Sequence, residues 1–228
     1  MRIGIIGAMD LEIHGLAALL EDAQTHTVGK QRFVCGRFAG HEVITACCGV
    51  GKVAAAVCTQ TLLLHFQPHG VINMGVAGGW PSAVQLLDTV VADVLVQHDA
   101  DTTALGDPLG YVHVLDRVEM RADEAMVSRL KQSCKALDLP VTVGTVATGD
   151  CFVGDEATAK RIHDNFGAIA FEMEGGSIAQ TCLMNQTPFA VLRTISDGGD
   201  AFDFEAFSRQ AAERTLAIIQ NFLQNLPL

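Results

Sequence analysis

The sequence has no surplus of basic residues and no long apolar run. Fifteen Lys and Arg stand against 26 Asp and Glu, a net charge of −11 over 228 residues. A protein that tracks a phosphate backbone needs a basic footprint, so no nucleic-acid partner is expected. No apolar stretch reaches the roughly 20 residues that span a bilayer, so no membrane partner is expected either. The opening residues, 1–12, meet Asp10 and Glu12 too early for a secretory leader. Paired cysteines are lacking too. There are seven, an odd number, with no Cys-x-x-Cys, and Cys47 and Cys48 are adjacent. A disulfide framework is therefore not expected. The eight histidines include no His-Glu-x-x-His, so no metal site is expected. These absences together point to a reducing, cytoplasmic setting. What is present is apolar mass: 49% hydrophobic and 18% charged residues. Such a chain can bury a large core, which excludes general disorder. Its length suits one α/β domain over residues 1–228.

Apolar β-rich runs alternate with helical stretches. Strands are predicted at 2–8, 33–38, 42–48, 70–76, 89–96, 141–148, 168–173 and 189–195. Helices are predicted at 11–20, 52–65, 122–137, 156–165, 174–185 and 204–223. Residues 99–117 read as a long loop, and Ala39-Gly40 as a hairpin turn. Apolar strands separated by helices imply a mostly parallel sheet covered on both faces. In such sheets the crevice beyond the strand C-terminal ends binds ligands, and the unusual polar residues follow strand ends here.

Five loops carry chemistry. In Gly7-Ala8-Met9-Asp10-Leu11-Glu12, Glu12 falls in the first turn of a helix. It is either a dipole-favoured carboxylate or a working one. Gly49-Val50-Gly51-Lys52 is not a Walker A loop, because Ala46 replaces the first Gly and Val53 follows the Lys. Gly4-Ile5-Ile6-Gly7 likewise lacks the dinucleotide-binding spacing. Gly75-Val76-Ala77-Gly78-Gly79 offers bare backbone after an apolar strand, for a flat ligand or for a turn alone. In Glu172-Met173-Glu174, strand alternation places the two carboxylates on one side, opposite Met173. They suit a sugar diol, or else they open a solvated helix. Ser196-Asp197 ends an apolar strand, where desolvation can raise a carboxyl pKa so that it delivers a proton; an ordinary Ser-Asp-Gly turn is the alternative.

Taken in order, Gly7-Ala8-Met9-x-x-Glu12, Gly49-x-Gly51-Lys52, Gly75-x-Ala77-Gly78-Gly79, Gly149-Asp150-x-Phe152, Glu172-Met173-Glu174 and Arg193-x-Ile195-Ser196-Asp197 carry a resemblance. The chain resembles the bacterial 5′-methylthioadenosine/S-adenosylhomocysteine nucleosidases of the purine nucleoside phosphorylase superfamily, from residue 1 to about residue 220. The resemblance implies an α/β domain with a mixed, partly barrelled sheet flanked by helices, and a homodimer. It also implies hydrolysis of 5′-thio-substituted adenosines to adenine and a thioribose, without a cofactor.

Position by position, the resemblance implies the following roles. Asp197 protonates adenine N7, supported by Ser196. Glu12 activates the attacking water, and Arg193 holds the water and Glu12. Glu174 binds the ribose hydroxyls beside Met173. Phe152 stacks on adenine, and the Val153 backbone reads its edge. Met9, Val50 and Phe207 line the 5′-alkylthio pocket, and Leu105 reaches into the partner subunit's site. Glu172 belongs to the acidic pair beside the sugar. Departures from the usual family pattern include Val76 for a Ser near the sugar or water, Trp80 and Leu105. Gly175-Gly176 stands where an Ala pair is usual and is expected to loosen the helix start by roughly 1–2 kcal/mol. A first loop bearing Asp10 and Glu12 would repel phosphate, so water rather than phosphate is the expected nucleophile.

Overall fold

A computed structural model describes residues 1–198 and 201–227. In chain order the elements are β1 (Arg2–Gly7), α1 (Asp10–Ala17), β2 (Glu21–Val28), β3 (Gln31–Phe38), β4 (His41–Cys47), α2 (Lys52–Phe66), β5 (Gly70–Gly79), β6 (Thr89–Gln97), β7 (Met120–Arg121), α3 (Glu124–Ala136), β8 (Val141–Thr148), α4 (Glu156–Phe166), β9 (Ala170–Glu172), α5 (Gly175–Met184), β10 (Phe189–Asp197) and α6 (Ala201–Gln224). Two short 3₁₀ turns lie between β6 and β7, inside the segment expected to be a loop.

The sheet is mixed rather than mostly parallel. Its strands run β10-β6-β8-β9-β5-β1-β4-β3-β2, and β10 also pairs with β5. That extra pairing closes β5, β10, β6, β8 and β9 into a five-stranded barrel, from which β1, β4, β3 and β2 extend as an open sheet. The pairs β1–β4, β1–β5, β5–β10, β6–β8 and β8–β9 are parallel; β6–β10, β5–β9 and the β2-β3-β4 meander are antiparallel. The meander turns at Ala39-Gly40, both at positive φ, the primed geometry that matches strand twist. Strand β2 had no signature in the sequence because it is polar and exposed along nearly its whole length. That is a safe composition for a sheet edge.

Helices cover both faces, as the patterning implied. Along β1, Ile3 and Ile5 point to a core shared with Ile13 and Leu16 of α1, Leu130 of α3 and Ile218 and Phe222 of α6. Ile6 points to the opposite core with Cys58 and Leu62 of α2 and Ile178 and Cys182 of α5. The period-2 alternation of side chains thus divides one strand between two cores. Helix α4 closes a third cluster through Ala159 and Ile162. Among the described residues no helix is long and apolar enough to cross a membrane.

Candidate active site

The C-terminal ends of β1, β5, β9 and β10 converge on one cavity of about 280 Å³. Glu12 enters it from the first turn of α1. Its Oε2 accepts the N–H groups of Ala8 at 2.7 Å and Met9 at 2.9 Å, and its Oε1 accepts that of Val76 at 3.0 Å. The side chain is 4% exposed. The helix-terminus reading and the cavity reading thus describe one carboxylate: it caps α1 and also faces the cavity. Burial pushes its pKa up, opposed by Arg193 and by the three N–H donors. Gly75 makes the approach possible, because a Cβ there would lie 2.6 Å from Glu12 Oε1.

Asp197 is set by an irregularity in β10. Ile195 pairs with Ala77 and Asp197 with Gly78, so Ser196 is the extra residue of a bulge. Bulges re-aim side chains beside active sites. Here the Ser196 hydroxyl donates to Asp197 Oδ2 at 2.9 Å, and both residues are buried.

Glu172 and Glu174 play different parts. Glu172 Oε2 accepts the N–H groups of Glu174 at 3.0 Å and Gly175 at 2.6 Å, and it also takes the Arg193 guanidinium. Its Oε1 takes the Thr148 hydroxyl. Glu172 lines the cavity, yet its carboxylate is occupied by protein donors. Glu174 closes the N-terminus of α5, and its carboxylate accepts only the Gly51 N–H, at 2.8 Å on Oε1, among the hydrogen bonds described. Its pKa is pushed up to about 7 by burial and by the neighbouring Glu172 charge. Arg193 lies beneath, buried, donating to Glu172, to the Asn73 side-chain oxygen Oδ1 and to the Leu192 backbone carbonyl. Its link to Glu12 is through charge: no hydrogen bond joins the two among those described.

Met9, Val50, Val76, Phe152 and Met173 also line this cavity. Val153 lines an adjoining recess of about 30 Å³ together with Phe152, Phe171 and Asp197. Two expected residues do not join them. Among the described residues, the lining side chain from α6 is Phe204, three residues before Phe207, which is half-buried. Phe204 packs edge-on against Phe152, with ring centroids 5.8 Å apart, and joins Met9 and Val76. Leu105 lies outside the cavity, 82% exposed. Sequence reasoning missed Asn73, Thr148 and Phe204. Asn73 had a signal, as the one amide in the apolar run Gly70–Val76. Thr148 and Phe204 had none beyond their nearness to motifs.

A second cavity is larger, about 360 Å³, on the open sheet among Arg2, Arg37, Glu42 and Phe66. It contains none of the strand-end carboxylates, and Arg2 and Glu42 in it are already paired at 2.7 Å. Among the described residues no group of three or more His, Cys, Asp or Glu side chains is placed to hold a metal ion.

A closed mixed barrel extended into an open sheet, with an acid-ringed cavity at its strand ends, defines a nucleoside phosphorylase-like α/β protein. The chain belongs to the phosphorylase superfamily, whose family model matches residues 2–224. It is 37% identical over 227 residues to the 5′-methylthioadenosine/S-adenosylhomocysteine nucleosidase of Marinomonas sp., covering 97% of this chain and 98% of the relative. It is 38% identical to the Bacillus thuringiensis nucleosidase of the same name, covering 99% and 100%. The S-adenosylhomocysteine nucleosidase of Streptococcus pyogenes, solved with 5-methylthiotubericidin, is 39% identical with a TM-score of 0.96, covering 100% of this chain and 98% of that one. A futalosine hydrolase mutant of Helicobacter pylori is 30% identical with a TM-score of 0.95, covering 99% and 100%.

Proposed function

We propose that the protein hydrolyses the N-glycosidic bond of 5′-methylthioadenosine and S-adenosylhomocysteine, and on the same geometry 5′-deoxyadenosine, releasing adenine and the 5′-substituted ribose. The observation that carries this reading is the charge of the cavity wall. Among the described residues, those lining it include Glu12, Glu172, Glu174 and Asp197 and no Lys, Arg or His. A phosphate nucleophile would meet carboxylates and no cationic side chain there, whereas water would meet a base. The names borne by the relatives at 37–39% identity support the same reaction.

Each step follows from the chemistry of the groups. Adenine leaves poorly as an anion, so Asp197 delivers a proton to N7, and Ser196 orients the carboxyl. The sugar becomes electron-poor as C1′–N9 breaks, and the ionised Glu174 stabilises it while holding the ribose hydroxyls. Met173 packs on the sugar. Water attacks C1′ as Glu12 accepts its proton. Three N–H donors and Arg193 favour the ionised form of Glu12 against its burial, as a base requires. Phe152 and the Val153 backbone hold the base, and Met9, Val50, Val76 and Phe204 enclose the 5′ substituent. Arg193 acts by anchoring Glu172.

The working form on this reading is a cytoplasmic homodimer. Val53, Val57 and Leu64 form an exposed apolar stripe on α2, and Leu105 and Val114 are exposed on the long connection after β6. The Lys52–Asp99 ion pair, 2.6 Å, brings the start of that connection against the start of α2. Exposed apolar areas of this kind are fit for a second copy of the chain.

The test is adenine release from 5′-methylthioadenosine by the purified protein, with and without phosphate. Release independent of phosphate is expected. Release that requires phosphate would overturn the role of Glu12.

A further inference from the structure

We infer that Thr148 is a positioning residue for the sugar carboxylate, acting through Glu172, and that Gly176 is glycine to make room for it. The inference rests on the proposed nucleosidase reading and adds residues to that machinery which no motif marks.

Thr148 ends β8 and is fully buried. Its hydroxyl donates to Glu172 Oε1 and accepts the Gly176 N–H at 2.6 Å, so its one proton and an acceptor lone pair are both used. Glu172 in turn accepts the N–H groups of Glu174 and Gly175. The first turn of α5 is thus held from two sides, and Glu174, at its N-terminus, is fixed in the cavity. A Cβ on Gly176 would lie 2.9 Å from both Thr148 Cβ and Oγ1 and 3.0 Å from Gln97 Cγ. No side chain fits there without moving the hydroxyl. To the expected loosening of the helix start by Gly175-Gly176 the structure adds a second role at Gly176. That glycine provides a close approach, and the N–H it brings to Thr148 offsets its poor helix propensity.

An isosteric T148V removes the hydroxyl and keeps the volume. T148S keeps the hydroxyl, and G176A drives the hydroxyl away without touching it chemically. The readout is calorimetric affinity for two probes, adenine alone and the nucleoside analogue 5-methylthiotubericidin, in variants that retain a cooperative melt. A role in setting Glu174 weakens the sugar-bearing probe and spares the base. T148V and G176A are expected to bind the analogue at least fivefold more weakly, with adenine affinity within twofold of the parent, and T148S is expected to bind both within twofold. Equal weakening of both probes, or no weakening in T148V, would overturn the inference. If the parent releases no adenine from 5′-methylthioadenosine, the proposed reaction fails by itself, and the ratio of the two affinities still decides the role of Thr148.

Discussion

At the scale of the residue, one region of the protein holds four carboxyl groups, and their surroundings separate their tasks. Glu172 is occupied by four donors and Glu174 by one. Glu12 is held by three N–H groups, and Asp197 is supported by Ser196. Glu12→Gln keeps the shape but removes the proposed base. It also turns an amide N–H₂ toward backbone N–H donors. Asp197→Asn removes the proposed acid. Each substitution is expected to lower kcat for 5′-methylthioadenosine by roughly 100- to 10,000-fold, the range of general acid–base catalysis, with a cooperative melt retained; near-parental turnover would remove the assigned role.

Glu174 gives a pH test whose sign is fixed. Its folded-state pKa of about 7 lies above the ordinary 4.5, so the folded protein holds more protons than the unfolded chain between those values. Its contribution to stability is fully present below about 4.5 and is lost as pH rises through about 7. Glu174→Gln has no charge to bury. The melting temperature of the variant relative to the parent is expected to rise from pH 4.5 to pH 8. A pH-independent difference would mean that Glu174 carries no such shift.

At the scale of the element, the site is made by strand ends and by two places where glycine lets a polar group come close. Gly75→Ala would place a methyl carbon 2.6 Å from Glu12 Oε1. The carboxylate must then leave the Val76 N–H. At least a tenfold fall in kcat is expected, with affinity for adenine retained, because on the proposed reading the base lies toward Phe152 and Val153 instead; a fall in adenine affinity matching the fall in kcat would contradict this division.

The helices and the apolar strands were legible in the sequence because their burial writes itself as periodicity. Strand β2 was not, since an exposed polar edge leaves no such trace. Barrel closure was not legible from patterning either. It depends on β10 pairing with both β5 and β6, and an apolar strand reads the same whichever neighbours it takes. The cavity carboxylates were legible because charge is rare at the ends of apolar strands. Which of them is spent on the protein's own donors was not, since Glu172 and Glu174 look alike until the Thr148 and Arg193 contacts are seen. Phe204 and Phe207 differ only by position on α6, and that was settled by how the helix meets Phe152.

At the scale of the whole molecule, the unresolved demand is the apolar surface outside the cavity. Val53 is 75% exposed and Leu105 82%. Scattered apolar residues on a surface are ordinary, but an exposed apolar stripe along one helix marks an interaction area. On the dimer reading, α2 packs against its counterpart, and Leu105 approaches the other subunit's cavity near Phe152, itself half exposed. Val53→Glu combined with Val57→Glu places two like charges on the stripe while leaving its buried face, Ala55, Cys58 and Leu62, intact. Sedimentation is expected to show a dimer for the parent and a monomer for the variant, each with a cooperative melt. Activity then reports on the loop. If Leu105 completes the site, the monomer has a KM for 5′-methylthioadenosine raised at least fivefold, and Leu105→Ala in the dimer raises it in the same direction without changing sedimentation. A monomeric parent, or a monomeric variant with parental KM, would confine the site to one chain and remove Leu105 from it.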